Sequence, residues 1–469
     1  MATENFQAPK GTRDFYPDEM AVRRYIEDIW RRVSIRHGFQ EVDGPTFESL
    51  DLYKVKSGVE IVSQLFSFTD RGQRDLALRP EFTPTLARMV AQRAAGLPRP
   101  IKWFSIPRCY RAEQPQKGRL REFMQWNVDY IGEASDRAER ECLALCADAL
   151  LEFGLTPDDF RIGWNHRAWL THVLVGTFMP PERISNAFYI LDRLHKYDRA
   201  GREALYREQG CSDKEKAYFE FIAGTSNQSL SELTDLLSAF MLDRHSRLGE
   251  PPPPDLCHLK IDSTVREFEK RLKDTNLAAM CSFDLSIVRG LAYYTGFVFE
   301  ISDRQGENRA IAGGGRYDNL IEMFGGPSLG AVGFGMGDVV LEILLRRRDK
   351  IPKAILDNHQ NPDVFIVNAL DDAVHAERLI FELRRSQWDS TRQRIIRPGL
   401  HAECSYRSTR NIGKLLQEAA ASGAKLAVIL ARAELQRGVA KLKNLADRSE
   451  RTVSMETLIE EIHAALDPA

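Results

Sequence analysis

The sequence predicts an α+β fold in which an antiparallel sheet flanked by helices is interrupted by a mostly helical insertion and followed by a C-terminal α/β domain. Three observations carry this. Two strand-like runs, Ile101 to Glu113 and Arg121 to Ile131, are separated by Gln114-Pro115-Gln116-Lys117-Gly118-Arg119, the layout of an antiparallel pair joined by a basic loop. Strand-like residues return at Cys281 to Ile301 after a helical, charge-rich stretch broken by Pro251 to Pro254, so one sheet is built from both sides of an insertion. From Pro362 the pattern runs strand, helix, strand, helix, with Val364 to Val367 and Leu426 to Leu430 as buried strands of a small α/β domain. The expected boundaries are 1–161 and 276–348 for the two parts of the sheet domain, 162–275 for the insertion, 349–361 for a linker and 362–469 for the last domain.

The 469-residue length exceeds one compact core and asks for several domains. Hydrophobic residues at 43% and charged residues at 28% are ordinary for a globular protein. No apolar run approaches the ~18 residues of a membrane span, so no membrane partner is expected. The N-terminus lacks the basic then apolar layout of a secretory signal, and the seven cysteines are scattered and odd in number, which fits a cytoplasmic location. With a formal charge of −2, any polyanion must be met by local basic surfaces.

In order along the chain, Pro17 to His37 reads as an amphipathic helix, with Val22, Ile26, Ile29, Trp30 and Val33 at helical spacing and Gly38 as the stop. A short strand follows at Gly38 to Val42, ended by Gly44-Pro45. A helix is expected from Thr83 to Ala95 with Thr83 as cap and Pro84 at its first position. Along Arg121 to Ile131, period two puts Met124, Trp126, Val128 and Tyr130 on a core face and Phe123, Gln125, Asn127 and Asp129 on the other, which is too polar to be buried without a partner or ligand. On the preceding run Cys109, Arg111 and Glu113 share a face, while Pro107 marks a bulge or an edge. Glu139 to Phe153 reads as a buried helix. Its Cys142 and Cys146 are core thiols, since no histidine or second cysteine pair lies near to complete a metal site, and no metal-ligating set is assigned. An apolar helix follows Gly337.

Two fragments hold the residue types that chemistry on phosphates needs. Residues 288 to 300 read Val-Arg-Gly-Leu-Ala-Tyr-Tyr-Thr-Gly-Phe-Val-Phe-Glu, and 312 to 318 read Ala-Gly-Gly-Gly-Arg-Tyr-Asp. The glycines do not have the spacing or acidic partner of a dinucleotide fingerprint; close packing beside a ligand explains them better. The two fragments read as adjacent strands, and alternation predicts that only one of Tyr293 and Tyr294 faces the pocket.

These fragments, with Lys10-Gly11-Thr12-Arg13-Asp14, Gly38 to Glu48, and Arg111-Ala112-Glu113 through Arg119, Phe123 and Gln125, resemble the ordered motifs of the histidyl-tRNA synthetases, which are class II aminoacyl-tRNA synthetases. The resemblance covers nearly the whole chain and implies a class II synthetase catalytic domain, a C-terminal anticodon-binding domain and a homodimer formed through the Gly38 to Glu48 segment. The implied reaction is ATP-dependent ligation of L-histidine to tRNA(His) through a histidyl-adenylate, with Mg2+ accompanying ATP. By resemblance, Arg111 grips the α-phosphate and Arg289 stands at the reacting centre. Glu113 and Phe123 serve the adenine and Arg119 reaches the phosphate tail. Glu81 and Thr83 hold the substrate amino group, Gln125 and Asp129 orient the amino acid, and Tyr293, Tyr294 and Tyr317 line the side-chain pocket.

That assignment fits the chemistry. A carboxylate attacking an anionic α-phosphate needs cations that neutralise charge in the transition state. A neutral imidazole offers one donor and one acceptor, and a site that pairs both rejects amino acids lacking them. For tRNA, residues 384 to 414 hold Arg384, Arg385, Arg392, Arg394, Arg397, Arg407, Arg410 and Lys414 against only Asp389 and Glu403, an excess able to track a nucleic-acid backbone.

Two positions depart from the family pattern. Ala292 stands where an acidic residue is usual, and Val340 stands where motif 3 carries the γ-phosphate arginine. Arg346 lies six residues further along the same helix, a rise of ~9 Å, too far to replace it. Arg119 or Lys117, with Mg2+, is expected to hold the distal phosphates. The alternative reading is a catalytically silent regulatory paralogue that binds histidine without charging tRNA. Such paralogues lack the anticodon-binding domain, so the residues from 362 onward speak against it.

Overall fold

The computed structural model describes residues 6–54, 65–177, 179–195, 197–225, 230–248, 263–289, 293–305, 310–356 and 361–466. Gly290, Ala292 and Pro251 to Pro254 lie outside them. The chain divides into two compact units, Met1–Ile355 and Leu356–Ala469.

The first unit is organised by a nine-stranded, mostly antiparallel sheet. Glu122–Ile131 is its centre, antiparallel to Ile101–Ser105 and Arg108–Tyr110 on one side and to Ala331–Gly337 on the other. Beyond Ala331–Gly337 come Ala312–Arg316, Phe297–Asp303 and Phe160–His166, each antiparallel to its neighbour. The two outer strands, Gln40–Glu41 and Cys281–Phe283, are parallel to theirs. The expected run from Ile101 to Glu113 breaks at Ile106-Pro107, because proline cannot donate to the ladder, and Arg111 to Glu113 have left the strand altogether.

One sheet face is core. Met124, Trp126, Val128 and Tyr130 are buried, in line with the alternation, and Phe334, Met336, Phe299 and Ile301 continue the same face across the sheet. The helix Pro17–Arg36 covers it. This helix has proline in its first turn and Asp18 and Glu19 beside its positive N-terminal end, and it stops before Gly38, whose φ of 78° suits glycine. Trp30 stacks on Trp126 with ring centroids 5.8 Å apart, and the Trp126 indole donates to Ser34 Oγ at 3.0 Å. The helix Arg137–Glu152 packs beside it, with Cys142 and Cys146 in the core, their thiols raised well above the ordinary value by burial.

Phe160–His166, which spans the expected boundary at 161/162, is a strand of this sheet; the helices from Arg167–Thr177 to Ser263–Lys273 follow it. Residues such as Leu191, Phe219 and Phe268 from those helices share one continuous hydrophobic core with the sheet. Thr83 is not a cap: the helix Thr83–Arg93 includes it, and Phe82 occupies the cap position without a side-chain hydrogen bond.

The second unit is a mixed five-stranded sheet. Val364–Asn368 lies between Ala402–Cys404 and Leu426–Leu430, parallel to both, and Val439–Asn444 and Glu450–Ser454 extend it antiparallel. The simple strand, helix, strand, helix reading therefore missed three strands and a separate ribbon, Gln387–Asp389 with Arg394–Arg397. Their half-exposed, charge-bearing sequences carry no continuous apolar run.

Candidate active site

The sheet face opposite the core carries Gln125 and Asp129 of the candidate residues, and glycine makes room for them. Along Ala331–Gly337 every second residue from 333 is glycine, set opposite Asp129, Asn127 and Gln125 in register. A Cβ on Gly333 would lie 2.3 Å from Asp129 Oδ1, and one on Gly335 would lie 2.7 Å from Gln125 Nε2. Gly313 and Gly315 pair with Gly335 and Gly333 on the next strand. Two adjacent strands thus give a floor without side chains. The sequence reading assigned the 313–315 glycines to close packing but overlooked the 333–337 set, whose period-two spacing was the available signal.

Two hydroxyl–carboxylate pairs stand beside this floor, one buried and one partly buried. Tyr317 donates to Asp129 Oδ1, and Tyr293 donates to Glu81 Oε2 at 3.4 Å. Burial, reinforced by the neighbouring carboxylates, pushes both hydroxyls well above the ordinary phenol value, so they stay neutral. Tyr293 and Tyr294 do not alternate. Residues 293 to 296 precede the strand Phe297–Asp303, and both rings join one cluster, with centroids 4.7 Å apart and Tyr293 at 5.8 Å from Tyr317. The Cys109 thiol, pushed up to about 12 by burial, is 3.6 Å from Gln125 Oε1. Thr83 sits in the first turn of the helix that follows Glu81, half-buried.

The nucleotide-binding candidates gather around the loop between the two central strands. Arg111 donates from Nε to Pro80 O at 3.2 Å, and its guanidinium lies 4.8 Å from the Phe123 ring centroid. Glu113 and Arg119, assigned to opposite ends of ATP, form an ion pair at 2.5 Å. The opening segment braces this loop. Gly11 O accepts from Arg121 N at 2.8 Å, while Arg13 reaches Asp338 at 2.5 Å and Glu342 at 3.6 Å. Asp338 in turn accepts from Met124 N at 3.0 Å. Sequence reasoning missed this clamp because its partners are far apart along the chain. Val340 is buried in the first turn of Asp338–Arg347, and a Cβ added to Gly118 would lie 3.4 Å from its Cγ2. The position that departs from motif 3 therefore faces the 114–119 loop. Arg346 is paired with Glu342 at 2.8 Å.

Arg289 has a left-handed backbone, φ 52°, and its guanidinium lies over Gly313, where an added Cβ would come within 2.4 Å of Cζ. Its Nη1 donates to Glu300 Oε2 at 2.5 Å. Burial opposes its charge, but Glu300 and other nearby acidic groups raise its pKa further. Asn165 Nδ2 donates to Leu285 O and Ile287 O, at 3.2 and 3.1 Å, and so fixes the segment that leads to it. The other arginine of the paired fragments, Arg316, is structural. It binds Glu139 at 2.5 and 2.7 Å and Asp318 at 3.1 Å, joining the sheet to the helix Arg137–Glu152.

In the second unit the basic run is only partly free for a ligand. Arg384 donates twice to Ala402 O, at 2.9 and 2.6 Å, and Arg410 pairs with Asp371. Arg392 and Arg394 stay exposed on the ribbon and its turn, beside cross-strand partners Trp388 and Ile395, which are 58% and 53% exposed. Among the described residues, no helix is long and apolar enough to cross a membrane, and no group of three or more His, Cys, Asp or Glu could hold a metal ion.

Comparison with known proteins agrees with this arrangement. The family model "Histidyl-tRNA synthetase" matches residues 11–338, and the model "Anticodon binding domain" matches residues 374–465. A histidine--tRNA ligase of Opitutus terrae is 40% identical over 461 residues, covering 97% of each chain. One from Leptospira biflexa is 35% identical over 472 residues, 99% of this chain and 98% of the relative. The crystal structure of a histidyl-tRNA synthetase from Nostoc sp. PCC 7120 superposes with a TM-score of 0.68 over 98% of this chain and 99% of that one, at 22% identity, which supports the fold. The matched models, the near full-length relatives and the shared fold agree with the ordered motifs: the chain belongs to the histidyl-tRNA synthetase family.

Proposed function

We infer that the protein ligates L-histidine to tRNA(His) in two steps, using ATP. In the first, a histidine carboxylate oxygen bonds to the α-phosphorus as the bond to the β-phosphate breaks, giving histidyl-adenylate and diphosphate. In the second, a hydroxyl of the terminal tRNA ribose attacks the activated carbonyl and AMP leaves. The observation that carries this reading is a glycine floor on one sheet face, beside which the buried Tyr317–Asp129 pair, the partly buried Tyr293–Glu81 pair and Arg289 gather.

Each role follows from the chemistry of the group. Tyr317, Tyr294 and Tyr293 line the imidazole pocket, where neutral hydroxyls can donate or accept, and Gln125 and Asp129 orient the amino acid. Glu81 and Thr83 hold its ammonium group. Arg111 and Arg289 neutralise the α-phosphate as negative charge shifts onto the leaving diphosphate. Phe123 stacks the adenine and Glu113 accepts from its amine once ATP draws it away from Arg119, which turns to the phosphate tail with Lys117. Mg2+ enters with ATP as part of the substrate. Neighbouring Phe47 and Phe68, both about half exposed with centroids 6.1 Å apart, lie where the family's dimer-forming segment ends and support a homodimer. Exposed Trp388, Arg392 and Arg394 suit stacking and charge contact with unpaired anticodon bases.

Histidine-dependent exchange of pyrophosphate into ATP, compared across all amino acids and followed by charging of tRNA(His), tests the reading. Exchange with histidine alone is the expected result. Histidine binding without exchange would favour the regulatory alternative.

A further inference from the structure

We propose that Glu300 is a positioning residue for adenylate formation: it holds Arg289 by one edge of the guanidinium so that the opposite edge is presented to the reacting phosphate. The proposal rests on the inferred role of Arg289. A guanidinium has two edges that can make paired hydrogen bonds, one through Nη1 and Nη2 and one through Nε and Nη2. Glu300 takes Nη1 at 2.5 Å, while Nε is buried with no hydrogen-bond partner among the described residues. A buried donor left unpaired is unfavourable, and a phosphate oxygen in front of that edge would satisfy it.

The surroundings restrict the guanidinium to this orientation. Glu300 and Gly313 are opposite one another in adjacent antiparallel strands, so the carboxylate rises from the same face that glycine leaves open. The guanidinium occupies the space a side chain at 313 would need, with Cζ, Nη1 and Nη2 all within 2.7 Å of an added Cβ. Arg289 comes from a loop in a left-handed conformation rather than from a strand, so its backbone alone does not aim it. The strand pair does, through the carboxylate of Glu300 and the gap at Gly313.

The test is kinetic and structural. In histidine-dependent pyrophosphate exchange, Glu300→Ala is expected to lower kcat roughly 10- to 100-fold, the usual scale for losing an orienting partner, with the histidine KM changed less than about two-fold. Glu300→Gln keeps an acceptor and should fall between Ala and wild type. Gly313→Ala, which displaces the guanidinium from the other side, should resemble Glu300→Ala. Arg289→Ala with Glu300→Ala should be no slower than Arg289→Ala alone, because the two residues act as one unit. Full kcat in Glu300→Ala, or an additive double variant, overturns the proposal. Its failure is separable from failure of the functional reading, which shows as no exchange by the wild type. In that event the crystal structure of Glu300→Ala decides: an unmoved Arg289 guanidinium overturns the positioning role, and one turned away from Gly313 supports it.

Discussion

Replacing Gly333 by alanine tests whether the glycine floor sets the shape of the histidine pocket. The new Cβ would be 2.3 Å from Asp129 Oδ1, 3.0 Å from Asp129 Cγ and 2.7 Å from the backbone oxygen of Val128. The carboxylate can swing aside only by leaving Tyr317, and the Val128 carbonyl can retreat only if Ala331–Gly337 separates from Glu122–Ile131. Overpacking of this kind costs ~1–3 kcal/mol of stability. Losing a hydrogen bond to a charged group is worth ~1.5–3 kcal/mol, so histidine should bind roughly 10- to 100-fold more weakly. Urea unfolding measures the first quantity and calorimetric titration with histidine the second. Gly335→Ala is the comparison, because the three atoms nearest its Cβ all belong to the flexible side chain of Gln125, at 2.7 to 3.5 Å. It should be destabilised by less than ~1.5 kcal/mol. A Gly333→Ala protein that binds histidine as tightly as wild type would refute the idea that this strand shapes the pocket.

Further outcomes follow from other contacts. Arg119→Ala should raise the KM for ATP roughly ten-fold in pyrophosphate exchange, less than a free arginine would cost since Glu113 already holds it, while the histidine KM stays unchanged; an unaltered ATP KM would remove Arg119 from phosphate binding. His37 is raised above its ordinary value, because its hydrogen bond to Glu141 outweighs burial and Asp148 adds to it. Its contribution to stability is thus complete below the unfolded pKa of about 6.5 and lost as pH rises through the higher folded value. His37→Gln should therefore lower the urea midpoint most near pH 6 and progressively less toward pH 9; a pH-independent difference contradicts the linkage. Trp126→Ala should cost ~3–5 kcal/mol in urea unfolding, since the ring is fully buried, stacks on Trp30 and donates to Ser34, while the fraction still folded keeps its histidine affinity. Cys109, Cys142 and Cys146, all buried with raised thiols, should resist alkylation at neutral pH in the native state and react in urea; rapid native labelling would contradict their burial.

What could be read from the sequence was whatever a local period encodes. Val22, Ile26, Ile29, Trp30 and Val33 announced their helix at 3.6-residue spacing, and Met124 to Tyr130 announced their core face at period two. Asp129 looked too polar to bury alone, and the structure supplies Tyr317 as its partner. Other features depended on contacts the local pattern does not carry. Tyr293 and Tyr294 gather together because their segment is not a strand, so alternation did not apply. Gly333 and Gly335 have no side chain for a hydrophobic period to register. The Arg13–Asp338 and Arg289–Glu300 pairs are tertiary, and only the fold brings them together.

The order of strands in the large sheet has a consequence for synthesis. Glu122–Ile131 and Phe160–His166 are both made before the insertion, yet three strands made after it, Phe297–Asp303, Ala312–Arg316 and Ala331–Gly337, lie between them. A chain growing on the ribosome therefore cannot close this sheet until residue 337 has emerged: Phe160–His166 gains its last native neighbour at residue 303, and Glu122–Ile131 lacks one until residue 337. Unpaired strand edges bind other chains as readily as their own, so translational pausing within the insertion should expose the nascent protein to misassembly and make its yield depend on chaperones that shield those edges.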